Sequence, residues 1–255
     1  MSEIVLSDAT RDEFMRRNPM RRLFVNSIPK SGTTWMRSIL AAMPGYSEYP
    51  REGINAGVVE SLVKTQLGQV FHGHILASAE LLTAIDDFQI STVYVYRDLR
   101  DVIVSNYYHL LKLNPKRAPE YFLNKELDEL LQADNLEKWC APVRRYGDVR
   151  EWLKFPEIPK TTYEALKVDT RKEVQKILTH WGIWFNEELI EYMVNAASFE
   201  RLSGRQVGEE DQKSPQRKGV VGDWKSHFSA DHVRQFKEKY GGLLIEYGFE
   251  QNDNW

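Results

Sequence analysis

Apolar positions in this chain fall into two patterns, short continuous runs and stretches spaced three and four apart. Leu23-Phe24-Val25 is a run. Ser27 to Gly32 follows as a tight turn rich in small residues, and from Thr33 onward Trp35, Met36, Ile39 and Leu40 fall at helical spacing. This predicts a buried strand, a turn and a helix that stops near Met43, because Pro44-Gly45 breaks it. Tyr46 to Gly57 reads as a loop. Ala56 to Leu67 carries Val58, Val59, Leu62, Val63 and Leu67 at helical spacing, with Gly68 as a stop. Gln69 to Ile75 reads as a second strand, in which alternation puts His72 and His74 on one side. Ile90 to Tyr96, ISTVYVY, is the strongest strand, β-branched and aromatic at every position but Ser91 and suited to burial on both faces. Asp98 can cap the helix that follows, which runs through Val102, Ile103 and Leu110 to about Lys112.

The remaining pattern predicts helices over Glu126–Leu131 and Leu136–Leu153, then a strand over Ile158–Tyr163. Two amphipathic helices follow, Thr170–Trp181 and Asn186–Ala196, separated at Gly182, and a last helix Ala230–Tyr240 behind Ser229. Strands alternating with helices predict a single α/β domain around a parallel sheet over residues 22–255, preceded by a polar, charged arm, helical or loose, over residues 1–21.

Composition narrows the function classes. A chain of 255 residues is long enough for one α/β domain with a full core. The net charge of −3 gives no global basic signature, so no nucleic-acid partner is indicated and any anion site is local. The single cysteine, Cys140, excludes a disulfide framework and a Cys-rich zinc site. The first residues lack an apolar signal core, and no apolar run approaches the roughly 18 residues of a membrane helix. A cytoplasmic protein with no membrane partner is expected.

The chemistry starts at the first turn. Backbone N–H groups at a helix start lack intrahelical partners, and the macrodipole is positive there. With Lys30, Ser31, Gly32, Thr33 and Thr34, the turn becomes a cradle for phosphate or sulfate. It departs from the Walker A pattern, because Lys30 follows Pro29 and its glycine comes after the lysine. Arg97 ends the strongest strand, where open parallel sheets bind ligands, and Ser105 lies in the next helix. Taken alone, Arg97 reads equally as an ion pair with Asp98 or Asp101. The His72 and His74 pair has three readings: metal ligands, packed structural histidines, or a general base at His74. Arg217-Lys218-Gly219 offers two cations and a backbone N–H in a row, either a second anion grip or a solvated basic loop.

Three motifs then agree. Pro29-Lys30-Ser31-Gly32-Thr33-Thr34-Trp35 resembles the 5′-phosphosulfate loop of the cytosolic-type sulfotransferases. Tyr94 to His109 resembles their 3′-phosphate segment, and Arg217 to Lys225 matches their Arg-Lys-Gly-x-x-Gly-Asp-Trp-Lys signature. The resemblance implies a P-loop nucleotide-binding fold. It also implies transfer of sulfonate from 3′-phosphoadenosine 5′-phosphosulfate (PAPS) to a hydroxyl or amine of a small molecule, leaving the 3′,5′-bisphosphate (PAP), without a metal. By that resemblance His74 is the base, and Lys30 with the turn N–H groups stabilises charge on the sulfonate and the departing phosphate oxygen. Arg97, Ser105, Arg217, Lys218 and Gly219 hold the 3′-phosphate. Trp35 and Phe199 clamp the adenine, and Tyr163 lies near it. Trp139 and Tyr146 line the acceptor pocket or pack in the core. The chain departs from the family at His72, which replaces a lysine, at Gly73, which replaces a threonine, and at Ala197, which replaces another threonine. A vertebrate dimer motif is matched only at Lys225 and Phe228, so both monomer and homodimer stand. His109 is read as structural. Two alternatives remain, a P-loop kinase for a small molecule and a non-catalytic nucleotide-binding module.

Overall fold

The computed structural model describes residues 4–50, 58–118, 120–132, 135–136 and 148–255. Helix α1 (Asp8–Arg17) leads into strand β1 (Leu23–Ser27), helix α2 (Thr33–Ala41), a two-residue strand β2 (Ser47–Glu48) and helix α3 (Val58–Val63). Strand β3 (Gln69–Gly73), helix α4 (Ala79–Asp87), strand β4 (Ser91–Tyr96) and helix α5 (Leu99–Tyr107) follow, and strand β5 (Lys160–Thr162) comes later. The five strands form one parallel sheet in the order β2-β3-β1-β4-β5. This is the α/β architecture that the alternating pattern predicts, in a single domain.

Every residue of β1 is buried, as expected of a central parallel strand. Its alternation feeds two layers. Phe24 packs with Phe71, Tyr94, Val102 and Trp152 on one face, while Leu23 and Val25 pack with Met36, Leu40, Ile177 and Ile190 on the other. The helices Thr170–His180 and Glu187–Ala196 cover the second face together with α2.

Several elements differ from the pattern. The arm takes the helical of its two expected forms, as α1, but it is not a loose appendage: its Phe14 is fully buried edge-on against Tyr46. One aromatic on an otherwise polar helix leaves almost no periodic signal, yet burying it stabilises the fold by about 2 kcal/mol. Helix α4, unread in the sequence, is capped by Ser78, whose Oγ accepts from Leu81 N at 3.2 Å. The helix after β4 changes to π geometry over Tyr108–Leu113. The strand expected over Ile158–Tyr163 is only Lys160–Thr162: Pro159 has no N–H for the ladder, although its carbonyl accepts from Tyr94 N at 3.0 Å. Tyr163 instead opens the helix Tyr163–Val168, capped by Thr162. The last helix runs past Gly241-Gly242 to Glu246, anchored by buried Leu244. Of the helix expected over Leu136–Leu153, Asp148–Leu153 is observed; Trp139 and Tyr146 lie outside the described residues.

Because the sheet is parallel, all its carboxyl ends open on one edge. The Lys30 turn follows β1, His74 follows β3, Arg97 follows β4 and Tyr163 follows β5.

Candidate active site

The turn after β1 is shaped by two residues with left-handed backbone, Lys30 at φ 68° and Gly32 at φ 91°. A side chain at Gly32 would also meet the Tyr163 ring, whose nearest carbon would lie 3.0 Å from an added Cβ. Gly32 offers α2 no side-chain cap, which leaves the first N–H groups to a ligand or to solvent. Ser31 is fully buried and its Oγ has no partner. A buried hydroxyl without a partner carries a desolvation cost. Burial, with the charges of Arg97 and Arg217, holds the Lys30 ammonium down at about 8. That is the mark of a cation cluster waiting for a counter-charge.

Arg97 is buried beside this turn. It donates to the carbonyls of Lys30 at 3.4 Å and Val220 at 3.0 Å, and stacks 4.0 Å over the Tyr163 ring. Of the two ion pairs entertained for it, the one with Asp101 is made, at 3.4 Å, and it is inside the protein rather than on the surface. Its Nε–H has no hydrogen-bond partner. Asp101 also accepts from Gly222 N at 2.8 Å and Trp224 N at 3.0 Å, which ties the late loop to α5.

That loop is not a solvated basic stretch. The Arg217 side chain is 11% exposed, ion-paired to Glu210 at 2.7 Å and to Asp223, and lies 4.3 Å over the Tyr108 ring. Lys218 reaches Asp223 at 2.8 Å. Burial alone would raise the Asp223 carboxyl, but the hydrogen bonds from Lys218 and Arg217 outweigh it and hold it at about 2. Asp223 therefore stays charged and aims two cations from one point. Gly219 has φ 68°, and a Cβ there would lie 2.7 Å from the Phe199 ring. Glycine is what lets the backbone N–H come this close to the aromatic face.

His74 is exposed just past β3. Its Nδ1 lies 3.1 Å from the Ser27 carbonyl and 3.0 Å from Ser27 Oγ, which is in turn bonded to Thr33 Oγ1. A carbonyl only accepts, so donation of Nδ1–H to it leaves the lone pair on Nε2, while Ser27 Oγ can take either role. Asn26 pins this segment by exchanging two 2.9 Å bonds with the Ile75 backbone. His72 is engaged differently, with Arg37 Nη1 3.0 Å from its Nδ1.

These parts surround one cavity of about 610 Å³. Lys30, Gly32, Thr33, Thr34 and Trp35 line it from the turn, and His72 and His74 from β3. Arg97, Ser105, Tyr163 and Phe199 form further wall, and Arg217, Lys218 and Gly219 close it from the late loop. Ser31 is the one expected residue buried behind the wall. Asn106, His109 and Lys167 also line the cavity. Lys167 carried a readable signal, one helical turn after Tyr163, and Asp101 and Asp223 were visible only as members of the two late motifs.

Residues 20–248 match the family model described as the sulfotransferase domain. The chain belongs to the sulfotransferase family. The resemblance to its cytosolic-type members, drawn from three motifs, is borne out by the relatives. Rat sulfotransferase 1A1 is 25% identical over 89% of this chain and 86% of its own length. Dog sulfotransferase 1A1 is 28% identical over 86% and 81%, and cytosolic sulfotransferase 3 of Arabidopsis thaliana 25% over 82% and 72%. Among solved structures, the fold is similar to mouse sulfotransferase SULT7A1 complexed with PAP, with TM-score 0.64, 22% identity and 96% of each chain covered. A retinol dehydratase in complex with androsterone and PAP follows the same fold, with TM-score 0.61, 21% identity, and 89% and 82% covered. The chain is an enzyme of sulfonate transfer, and neither the kinase nor the non-catalytic alternative is favoured. Among the described residues, no helix is long and apolar enough to cross a membrane.

Proposed function

We propose that this sulfotransferase takes its sulfonate from PAPS and delivers it to a hydroxyl or amine of a small-molecule acceptor, in line, with His74 as general base and without a metal ion. The observation that carries the reading is one cavity on which a P-loop-like turn, a histidine held by Ser27 and a second cation cluster converge. When bound, PAPS supplies a sulfonate on a good phosphate leaving group. The protein's part is positioning and electrostatics. Lys30 and the uncapped N–H groups of α2 suit the 5′-phosphosulfate, with Ser31 packed behind them. Arg97, Ser105, Arg217, Lys218 and the Gly219 N–H suit the 3′-phosphate. Trp35 and Phe199 offer faces for adenine, with Tyr163 beside the turn. His74 Nε2 takes the acceptor proton.

Calorimetric binding of adenosine 3′,5′-bisphosphate, 5′-AMP and ATP without magnesium tests this. Hydrogen bonds to charged groups contribute about 1.5–3 kcal/mol each, so a preference of about 100-fold for the bisphosphate over 5′-AMP is expected. ATP binding as tightly as the bisphosphate would overturn the 3′-phosphate grip.

A Gly219→Ala substitution probes the adenine clamp. The added methyl both strains a positive φ and drives Phe199 from its place. Base stacking is worth about 1–3 kcal/mol, so bisphosphate affinity is expected to fall about tenfold while inorganic sulfate binding changes little. Equal loss for both ligands would mean that the substitution acts on the loop as a whole.

A further inference from the structure

We propose that Arg205 is a positioning residue for the donor nucleotide: from behind the cavity wall it holds the Arg217-Lys218-Gly219 stretch in its anion-binding form and seats that stretch on Phe199. The inference rests on the sulfotransfer reading above and deepens it.

Arg205 lies in none of the sequence motifs. It reaches its place because the short helix Phe199–Ser203 ends at Gly204, whose φ of 72° is a left-handed turn that glycine takes without strain. The chain reverses there, and the Arg205 guanidinium comes back over the Phe199 ring, 5.6 Å from its centre. From that seat it spans the late loop. Nη1 donates to the carbonyls of Glu209 at 2.6 Å and Arg217 at 2.9 Å, and Nη2 donates to the carbonyl of Gln216. Arginine's rigid planar fork suits several acceptors held at once, which a single ammonium on a flexible stem does not.

These bonds decide where the next N–H groups point. A trans peptide is planar, with its carbonyl and its N–H on opposite sides. The Arg217 carbonyl accepts from Arg205 and also from Asp211 N at 2.9 Å, and the Lys218 carbonyl accepts from Gly208 N at 2.9 Å. Both carbonyls are thereby turned toward residues 205–211. The N–H groups on the same two peptides, those of Lys218 and Gly219, are turned the other way. Successive N–H groups turned to one side make an anion-binding concavity. Lys218 and Gly219 line the cavity, whereas Arg205 stands behind them. The work is divided: Asp223 gathers the side chains of Arg217 and Lys218, and Arg205 sets the backbone that carries them.

The same guanidinium rests on Phe199, which the proposed function places against adenine. Adenine stacking and the 3′-phosphate grip therefore share one support. A Phe199 ring that is displaced loosens Arg205, and through it the peptides that face the phosphate.

The test measures calorimetric affinities of the full chain for adenosine 3′,5′-bisphosphate and for 5′-AMP. The two ligands share the adenine and the 5′-phosphate, so the ratio of their affinities isolates the 3′-phosphate grip. Arg205→Met is expected to lower that ratio about tenfold while 5′-AMP affinity stays within about threefold. Arg205→Lys keeps the charge but gives up the fork, and is expected to lower the ratio nearly as far. It also decides the matter should the methionine variant fail to fold. A lysine variant whose ratio matches wild type would show that charge alone suffices and overturns the positioning role. Phe199→Leu takes stacking from both ligands alike, so any change it makes in the ratio comes through the loop. It is expected to lower the ratio about threefold with Arg205 present and not at all in the Arg205→Met background. A ratio that Phe199→Leu leaves untouched in both backgrounds overturns the seat on Phe199. Arg205→Met that weakens both ligands equally is a merely structural loss and overturns the inference alone. Wild-type protein that binds ATP as tightly as the bisphosphate overturns the 3′-phosphate reading and this inference together.

Discussion

His74→Ala is expected to lower kcat by about 100- to 10,000-fold, the range that a positioned general base contributes, and to leave bisphosphate affinity unchanged. The side chain is exposed at the end of β3, so its removal creates no core cavity and the melting temperature should stay near wild type. The neighbouring contacts refine the expectation. Ser27 holds the ring by its carbonyl and its hydroxyl, and the hydroxyl is also bonded to Thr33 at the start of α2. Base and anion cradle are therefore built on one residue. His74→Gln keeps a polar group but offers no comparably basic nitrogen, and should be nearly as slow as His74→Ala. Single-turnover measurement of bisphosphate release with a phenolic acceptor checks both. A His74→Ala enzyme within tenfold of wild type would assign the proton to another group.

The site was legible where its chemistry is local. Lys30 to Trp35 declare a turn and a helix start within six residues, and the structure builds both there. Arg97 declared itself by ending the strongest strand. The pairings that make these residues a site were hidden, because they span the chain. Asp101 meets the backbone of Gly222 and Trp224 more than a hundred residues away. Arg37 falls in no motif of the sequence, and only the folded β2–β3 edge shows that it meets His72 and Glu48. Conversely, Arg217 and Lys218 read equally as solvated charge until Asp223 and Glu210 are seen gathering them. Fold errors follow the same division. The burial of Phe14 depends on tertiary packing against Tyr46, whereas the shortened β5 traces to Pro159, a local cause inside an apolar run.

Replacing Glu164 by glutamine is expected to remove a pH dependence from both stability and binding. The carboxyl follows β5 and accepts from Asp98 N at 3.2 Å, but its Oε2 is buried without a partner. Burial pushes its pKa up to about 7, and Arg97, 4.0 Å away, offsets only part of that. The folded state thus binds this proton more tightly than the unfolded chain, whose carboxyl titrates near the ordinary 4.5. Stability from this group is complete below pH 4.5 and is lost as pH rises through about 7, a total of about 3 kcal/mol. Glu164→Gln keeps the bond to Asp98 N and has no such loss, so it should melt higher than wild type at pH 8 and alike at pH 5. Binding adds a second consequence. On the proposed placement of the 3′-phosphate at Arg97, the ionised Glu164 competes for the same guanidinium and repels the ligand. Wild-type protein should therefore take up protons when the bisphosphate binds at pH 8, at Glu164 and at Lys30, whose ammonium is held at about 8 until an anion arrives. The variant should take up only the Lys30 share and bind about tenfold tighter at that pH. Calorimetry in two buffers of different ionisation enthalpy separates the two shares. Equal proton uptake by both proteins would place the 3′-phosphate away from Arg97, because a phosphate there cannot leave the neighbouring carboxylate unmoved.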